Sequence, residues 1–360
     1  MPLQQSTNRQ SGNIVSAPFI ESGQSISGVM RQVIYALLPA LVVAFYCFGW
    51  GIITNLIIAC AGALAWESLM LYLRNRPVTS YIMDTSALVT AILLGMALPP
   101  MAPWWLLLTG TFFAIAVAKQ LYGGLGYNAL NPAMAGYAVL LISFPREMSA
   151  WLTPLALPVA ELGFFETMAW VFFEEPPNDV ALDTLTSATP LDYLRTEISR
   201  GVSFSEVRLS PVVGVIAGKG VEWINLAVLL GGLWLCYKRL ITWHIPVSVL
   251  VGLGVLSGAF HLYASERFAD PVFHMFSGAT MLCAFFIATD PVTAPATPLG
   301  KLIYGLLIGL LIYIIRTWGG YPDAVAFAVL LMNFTAPLLD QYTQPRIYGA
   351  GKRNGRARNG

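Results

Sequence analysis

Apolar stretches near the length needed to cross a lipid bilayer recur along most of this 360-residue chain. A spanning helix needs about 20 mainly apolar residues, and within lipid only helices and closed barrels satisfy all their backbone polar groups. Charged residues make up 11% of the chain, against about 25% in an average soluble domain. The sequence therefore predicts an all-α polytopic membrane protein with about ten transmembrane helices. The candidate spans are 33–50, 54–73, 82–99, 104–122, 129–145, 221–237, 244–263, 272–289, 300–316 and 323–340.

Charge and composition argue against several other kinds of site. The formal net charge is +1, so no electrostatic attraction to nucleic acid is expected. The four cysteines lie inside apolar runs without metal-binding spacing, which is typical of small buried hydrophobic residues. The three histidines are too scattered to indicate zinc, and no metal site is predicted. These residues are Cys47, Cys60, Cys236, Cys283, His244, His261 and His274.

The spans fall into two groups of five, separated by a long polar loop. Cytoplasmic loops of membrane proteins are enriched in Lys and Arg. A cytoplasmic N-terminus places "YLRNRP", "CYKRL" and the tail "GKRNGRARNG" inside, and the acidic "FFEEPPND" in the periplasm or at the cell exterior. Both termini are thus predicted to be cytoplasmic. The segments of the chain are a leader at 1–30 that is not a signal peptide, a five-helix repeat at 31–145, a periplasmic loop at 146–220, a second repeat at 221–340 and a basic tail at 341–360.

The two groups of spans resemble each other in sequence. "SALVTAILLGMALPPMAP" (86–103) parallels "GATMLCAFFIATDPVTAP" (278–295), and "YGGLGYNALNPAMAGYAVLLI" (122–142) parallels "WGGYPDAVAFAVLLM" (318–332). Because five is an odd number, the second copy is expected to run in the opposite direction across the membrane. In such inverted repeats, polar segments broken by Gly or Pro meet near the middle and form the site.

The Gly- and Asn-rich segment "GGLGYNALNPAMAG" is the densest polar motif in the membrane part. Asn128 and Asn131 are three residues apart and are predicted to share one face of a helix start. Their amides can pair with both donor and acceptor edges of a planar heterocycle. A tight turn with asparagine caps accounts for the same pattern.

Ionisable residues inside a membrane are costly and indicate function by default. Glu67 and Asp84 are therefore candidates for an intramembrane polar site or an ion path. Asp84, Lys119, Asp290 and Arg316 lie at span ends, where an interfacial position is a sufficient explanation. For Lys119 and Arg316, snorkelling to the interface supports that explanation.

The periplasmic loop contains the hydroxyl cluster "TSATP", residues 186–190. The loop has no histidine, so a Ser–His nucleophile is not expected. Residue chemistry alone favours either a Ser/Thr-rich turn ended by Pro190, or a capped helix start with Thr189 as the N-cap, Pro190 at the first helical position and Asp192 at the third.

Together these motifs resemble one family of membrane flavoproteins, the NqrB/RnfD family. "TSATP" resembles its flavin-attachment motif, and "GGLGYNALNPA", "ALVTAILLGMALPP", "FIATDPVTAP" and "IRTWGGYPDAVAFAVLLMN" are similar to its membrane segments. The family supplies membrane subunits to the Rnf ferredoxin:NAD oxidoreductase complex and to the sodium-translocating NADH:quinone reductase. The resemblance covers nearly the whole chain, and the short N-terminal extension is closer to the Rnf branch.

The resemblance implies FMN bonded through a phosphoester to the last threonine of the motif, which is Thr189 here. The family's small residue two positions before that threonine is often glycine and is Ser187 in this chain, so Ser187 and Thr186 are the fallback attachment sites. A flavin transferase would attach the group outside the cytoplasmic membrane. Aromatic residues of "FFETMAWVFF" (164–173) and Tyr193 are expected as packing partners of the ring, or alternatively as part of an amphipathic interfacial segment.

The resemblance also implies a second, non-covalent flavin, riboflavin, in the membrane part. Its expected contacts are Asn128, Asn131, Gly124, Thr289 and Asp290. The implied partners are other membrane and peripheral subunits of an Rnf-type complex, including a second covalent-flavin subunit and iron–sulfur subunits, together with membrane lipid.

The expected function is electron transfer across the membrane, coupled to Na⁺ or H⁺ translocation, by a subunit that is inactive alone. The competing interpretation is a urea- or ammonium-type channel or transporter, because such proteins also use inverted five-helix repeats. A structural scaffold without cofactor is a third possibility, which the broken helices disfavour.

Overall fold

The computed structural model describes residues 25–152, 154, 163–174, 186–321 and 323–344. Most of the predicted leader and tail therefore lie outside the described residues. The first repeat consists of α1 (Ile26–Phe48), α2 (Trp50–Leu73), α3 (Val78–Ile82), α4 (Ser86–Ala97), α5 (Trp104–Thr111), a π-helical continuation π1 (Phe112–Gln120) and α6 (Pro132–Ser143).

The second repeat follows the same plan. It consists of α11 (Val221–Tyr237), α12 (His244–Tyr263), α13 (Pro271–Phe276), α14 (Thr280–Leu282), a π-helical continuation π2 (Cys283–Ile287), α15 (Pro298–Trp318) and α16 (Val325–Thr343). Between the repeats lie α7 (Pro145–Ser149), β1 (Trp151–Leu152), α8 (Phe164–Phe173), β2 (Thr186–Ser187), α9 (Pro190–Ser199) and α10 (Phe204–Val207).

The helical character predicted from the apolar spans is confirmed. Among the described residues, five helices are long and apolar enough to cross a membrane, namely α1, α2, α12, α15 and α16. Helix α4 and the α14–π2 segment, which are equivalent in the two repeats, are short. Pro99 and Pro291 follow them, and proline cannot continue a helix. The first span begins earlier than position 33, because Ser25 caps α1 by accepting from Gly28 N at 3.1 Å.

Equivalent helices of the two repeats run antiparallel. The C-terminal end of α1 (Ala44, Phe48) and the N-terminal end of α11 (Val221) line the same cavity. At the other ends, Val33 of α1 and Leu235 of α11 line a second cavity together. The ends of α4 and of α14–π2 alternate in the same way, which is the arrangement expected of an inverted repeat.

Close helix contacts at the centre depend on glycine. A Cβ at Gly231 of α11 would collide with the carbonyl of Ala36 in α1, and a Cβ at Gly309 of α15 would collide with the carbonyl of Val249 in α12. Small residues at such crossings let two backbones approach closely where no hydrophobic effect drives helices together. The same elements carry the buried core, which extends through both repeats.

The part of the connecting loop from α9 onward packs on the second repeat, whereas α8 lies against the first. Its apolar core joins α9 and α10 to the segment that enters α13 and consists of Leu191, Leu194, Phe204, Val207, Val213, Ala217, Ala269 and Phe273. Strand β2 pairs antiparallel with β1, with Ser187 opposite Trp151 and Thr186 opposite Leu152. The loop segment 186–192 is thereby fixed on both sides.

Candidate functional site

Thr189 is the N-cap of α9, as the spacing of "TSATPLD" predicts. Its Oγ1 accepts from Asp192 N at 3.2 Å and donates to Asp192 Oδ2 at 2.7 Å, and Pro190 occupies the first helical position. A capping oxygen keeps a fixed direction because both of its hydrogen bonds are local. Burial raises the pKa of the Asp192 carboxyl, against the lowering effects of the Thr189 hydroxyl and of Arg195.

Thr189 lies on the wall of a large cavity between the helix ends, named here the threonine cavity. The volume is ≈ 340 Å³, and Ser187, Ala188 and Asp192 line the same wall. Most of the lining is apolar, from the ends of α1, α4, α6, α11 and α14. A cavity of this size, apolar with few polar groups, is typical of sites for small organic ligands.

The aromatic and charged residues of this cavity differ from those expected. The aromatic side chains on the wall are Phe48, Tyr137, Trp151 and Tyr321. The expected ring partners in α8 and Tyr193 are not among the residues that line this cavity. Helix α8 lies against α2, where Thr54 Oγ1 donates to Met168 Sδ at 3.8 Å, and Trp170 Nε1 donates to Met101 O at 3.2 Å. Tyr193 packs on the loop core. The charged residues on the wall are Asp192, Lys219 and Asp323.

Lys219 is held near Thr189 by the loop that precedes α11. The carboxylate of Glu222 accepts from Ile216 N at 2.8 Å and from Ala217 N at 3.1 Å. Lys219 N donates to Val212 O at 3.0 Å. These hydrogen bonds fix the backbone that carries Lys219, which lines the threonine cavity.

A second cavity of ≈ 130 Å³, named here the asparagine cavity, lies at the opposite ends of the same helices. Asn128, Asn131, Thr289 and Asp290 line it, so the structure brings together four of the five residues expected to contact a second flavin. Gly124 is the exception. It adopts φ +101° in the turn before α6, beside Gly123 and Gly126 with φ +129° and +91°, so its role is in the backbone of that turn.

The two asparagines have different roles. Asn131 caps α6 through Met134 N at 3.2 Å, and its Nδ2 donates to Ile287 O at 3.2 Å, which ties the repeats together. Asn128 precedes the helix, so the expected shared helix face is wrong. Its Nδ2 donates to Leu130 O at 3.1 Å, while its buried Oδ1 has no hydrogen-bond partner among the described residues. A buried acceptor without a donor is costly unless a ligand or water supplies one.

Glu67 and Lys119 form a buried ion pair. Lys119 Nζ lies 2.6 Å from Glu67 Oε1 and donates to Ser86 Oγ at 2.7 Å, and the two side chains are 2% and 1% exposed. The interfacial position expected for Lys119 is therefore wrong. Ser86 Oγ donates in turn to Asp84 Oδ1 at 2.5 Å, so the two candidate carboxylates of the first repeat are connected through Ser86 and Lys119.

Arg316 is also buried rather than interfacial, which corrects the second snorkelling expectation. Its guanidinium donates to His274 O at 2.8 Å and to Ser277 O at 3.1 Å, and Nη2 lies 3.8 Å from Asp323 Oδ1. Sequence reasoning placed both cations at span ends by their position in the chain. The sequence did contain a signal of a shared role, because both residues fall in the last turn of the fourth helix of their repeat.

The two cavities approach each other closely in the core. On α4, Leu93 lines the asparagine cavity and Met96 lines the threonine cavity, which places them about 4.5 Å apart along the axis. Phe285 and Leu282 are related in the same way in the second repeat. The layer between the cavities is thus about one helical turn thick.

Comparisons with known proteins match the sequence over most of the chain. The family model described as the NQR2, RnfD, RnfE family matches residues 13–349. A protein of Alcanivorax borkumensis is 53% identical over 337 residues, covering 93% of this chain and 96% of the relative. A protein of Yersinia pseudotuberculosis is 48% identical over 344 residues, covering 93% and 98%. Both relatives are named as the same subunit of an ion-translocating oxidoreductase complex.

Proposed function

This chain belongs to the NQR2, RnfD, RnfE family, and from that premise we propose that it is the flavin-carrying membrane subunit of an ion-translocating oxidoreductase complex. One observation carries the proposal. The threonine of the attachment motif opens directly onto a large, mostly apolar cavity, and a second cavity, lined in part by the two asparagines, lies about one helical turn away.

The proposed covalent group is FMN, attached through a phosphoester to Thr189. The fit rests on the chemistry of the threonine cavity: a hydroxyl at the rim, an apolar interior for the ring, and Lys219 to meet the phosphate charge. A tether replaces affinity with a high effective concentration, so no deep nucleotide pocket is required. A bound flavin would supply both one- and two-electron transfer at this site.

The residues around Thr189 would orient the group and exclude water. Asp192 fixes the direction of the Thr189 oxygen, and the β1–β2 pairing holds Ser187 against the cavity. Phe48, Tyr137 and Trp151 provide apolar surface on which a planar ring packs.

The proposed guest of the asparagine cavity is a second flavin, riboflavin. The unpartnered Oδ1 of Asn128 offers an acceptor for a ring N–H, and Thr289 and Asp290 complete the polar part of the wall. Phe285 and Phe286 provide apolar surface on the same wall, on which a planar ring can pack.

Electrons would then pass between the two cavities and so across the membrane. With the N-terminus in the cytoplasm, the asparagine cavity is on the cytoplasmic side and Thr189 on the periplasmic side of a bacterial inner membrane. Coupling to Na⁺ or H⁺ would follow if the redox state biases an equilibrium between two conformations. Electron supply and removal are assigned to other members of the complex, among them iron–sulfur and covalent-flavin subunits.

The test is fluorescence of the denatured protein in a gel under ultraviolet light, after expression with its flavin transferase. Wild type should fluoresce and Thr189→Val should not. Thr186→Val and Ser187→Ala are matched controls that remove neighbouring hydroxyls and should keep the band.

A fluorescent band that persists in Thr189→Val and disappears in one of the controls would move the attachment to that residue. Absence of fluorescence in wild type would overturn the covalent assignment and favour the channel interpretation. A permeation path would require the layer between the cavities, which includes Leu94, Cys283 and Ala284, to part.

A further inference from the structure

The asparagine cavity contains a buried cation that none of the preceding roles uses. Lys119 lines this cavity although it is 2% exposed. Ser86, which accepts from Lys119 Nζ at 2.7 Å, lines the same wall. The ammonium group is therefore beside the guest space rather than in a remote part of the core.

The chain holds this ammonium group in one place from two sides. Glu67 Oε1 accepts from Lys119 Nζ at 2.6 Å and from Gln120 Nε2 at 2.9 Å, and Ser86 is oriented by Asp84. Lys119 lines the cavity and its counterion Glu67 does not, so the ammonium group is the nearer of the two charges to the guest. Asp290 is the other charged residue on the wall, and its carboxylate accepts from Val292 N at 3.2 Å and Thr293 Oγ1 at 3.1 Å.

The second repeat also has a buried cation beside its cavity, the threonine cavity. Arg316 occupies the last turn of the fourth helix, as Lys119 does, and donates to Ser277 O just before α14, as Lys119 donates to Ser86 at the start of α4. The position that a Cβ of Gly278 would occupy lies 2.9 Å from Arg316 Nη2, and Gly278 lines the threonine cavity. A buried cation beside each cavity is thus a repeated feature of the architecture.

We propose that Lys119 raises the reduction potential of the planar redox-active guest of the asparagine cavity, with Glu67 and Ser86 as its positioning residues. This rests on the proposed function, in which the guest is a flavin. A flavin gains negative charge on reduction, and a fixed positive charge in a medium of low dielectric stabilises that charge more than it would in water. Lys119 is therefore a tuning residue rather than a group that exchanges electrons.

The experiment measures binding of riboflavin, in its oxidised and in its dithionite-reduced form, to purified protein stripped of non-covalent flavin. Lys119→Met should reduce the preference for the reduced form at least tenfold, which is about 30 mV for a two-electron couple. Lys119→Arg keeps the charge and should keep the preference. The covalent flavin near Thr189, titrated in the same samples, should not shift.

A structural role alone predicts a different result. Lys119→Met and Lys119→Arg would then weaken both forms equally and leave the preference unchanged, which would overturn the proposal. The double variant Lys119→Met/Glu67→Gln removes both charges and preserves folding, since replacing a whole buried ion pair is far better tolerated than replacing one partner. It should shift the preference in the same direction as Lys119→Met.

The experiment distinguishes failure of the proposed function from failure of the role of Lys119. If wild type binds riboflavin in neither form, the second-flavin assignment and the role of Lys119 both fall, while the in-gel test of Thr189 still reports on covalent FMN. If riboflavin binds and neither Lys119→Met nor the double variant changes the preference, only the role of Lys119 falls.

Discussion

The hydroxyl of Thr189 donates to the carboxylate of Asp192 across 2.7 Å, while the same oxygen accepts from Asp192 N at 3.2 Å. One residue thus both fixes the direction of the Thr189 oxygen and provides an acceptor for its proton. The geometry of an ordinary helix cap is also a suitable starting geometry for ester formation at that oxygen.

Asp192→Ala is expected to slow flavin attachment to Thr189. When the phosphoester forms, the Thr189 hydroxyl loses its proton, and a positioned carboxylate that accepts it contributes roughly 10²-fold or more. The measurement is the rate at which fluorescence appears on the purified apoprotein with purified transferase and FAD. Asp192→Asn is the matched control, because it keeps a side-chain oxygen that accepts from the Thr189 hydroxyl but lacks the basic carboxylate, and it should also be slow. An unchanged rate in both variants would restrict Asp192 to a structural role.

The stability of the loop should depend on pH through Asp192. Burial raises the pKa of this carboxyl, so the folded state holds the proton more tightly than the unfolded state does. The free energy of unfolding therefore falls as the pH rises from the ordinary carboxyl pKa through the raised one. Asp192→Asn lacks this loss and should gain stability relative to wild type as the pH rises above about 4, the ordinary carboxyl pKa. Thermal unfolding in detergent across that range measures the difference, and a difference that shrinks with rising pH would contradict the expected sign.

Filling the threonine cavity should separate attachment from ring insertion. Ala44 is 3% exposed and lines this cavity, so Ala44→Phe places a ring where the flavin is expected, at a cost of about 1–3 kcal/mol at most if the core has to adjust. The in-gel band should persist, because Thr189 is untouched. In the native protein the flavin should become more accessible to iodide quenching than in wild type or Ala44→Gly. Equal quenching in all three would place the ring elsewhere.

Asn128→Leu is expected to remove the non-covalent flavin without affecting the covalent one. The substitution deletes the unpartnered buried acceptor on the asparagine cavity. Each lost hydrogen bond to a ligand costs about 0.5–1.5 kcal/mol, up to roughly tenfold in affinity. Flavin released by acid precipitation, quantified by chromatography, should fall while the in-gel band stays constant. Asn128→Asp keeps the acceptor and should retain more flavin than Asn128→Leu.

The Glu67–Lys119 pair should show strong coupling in stability. Removal of one partner from a buried pair leaves an uncompensated charge and costs about 3–5 kcal/mol, whereas removal of both is much less harmful. Glu67→Leu should therefore unfold far more easily than Glu67→Leu/Lys119→Met in detergent. Additive losses across the double-mutant cycle would mean that the pair does not interact energetically in the folded protein.

The sequence by itself determined the class of the protein, the two repeats and the capped start at Thr189. Each of these depends on local chemistry: the length of apolar runs, the recurrence of Pro and Gly at matching positions, and the affinity of a threonine side chain for free N–H groups at a helix start. The position of Asn128, Asn131, Thr289 and Asp290 on one cavity was also accessible, because the polar breaks of inverted repeats meet.

Only the tertiary structure decided where the charges lie. Lys119 and Arg316 lie at the ends of their helices, where sequence position favours the interface, yet both are buried. Partners distant in the chain replace water: Glu67 pairs with Lys119, and the carbonyl groups of His274 and Ser277 accept from Arg316. The residues that line the threonine cavity could not be predicted from the sequence for the same reason. Phe48, Tyr137 and Tyr321 come from three separate segments, and no local pattern records which residues two antiparallel repeats bring together.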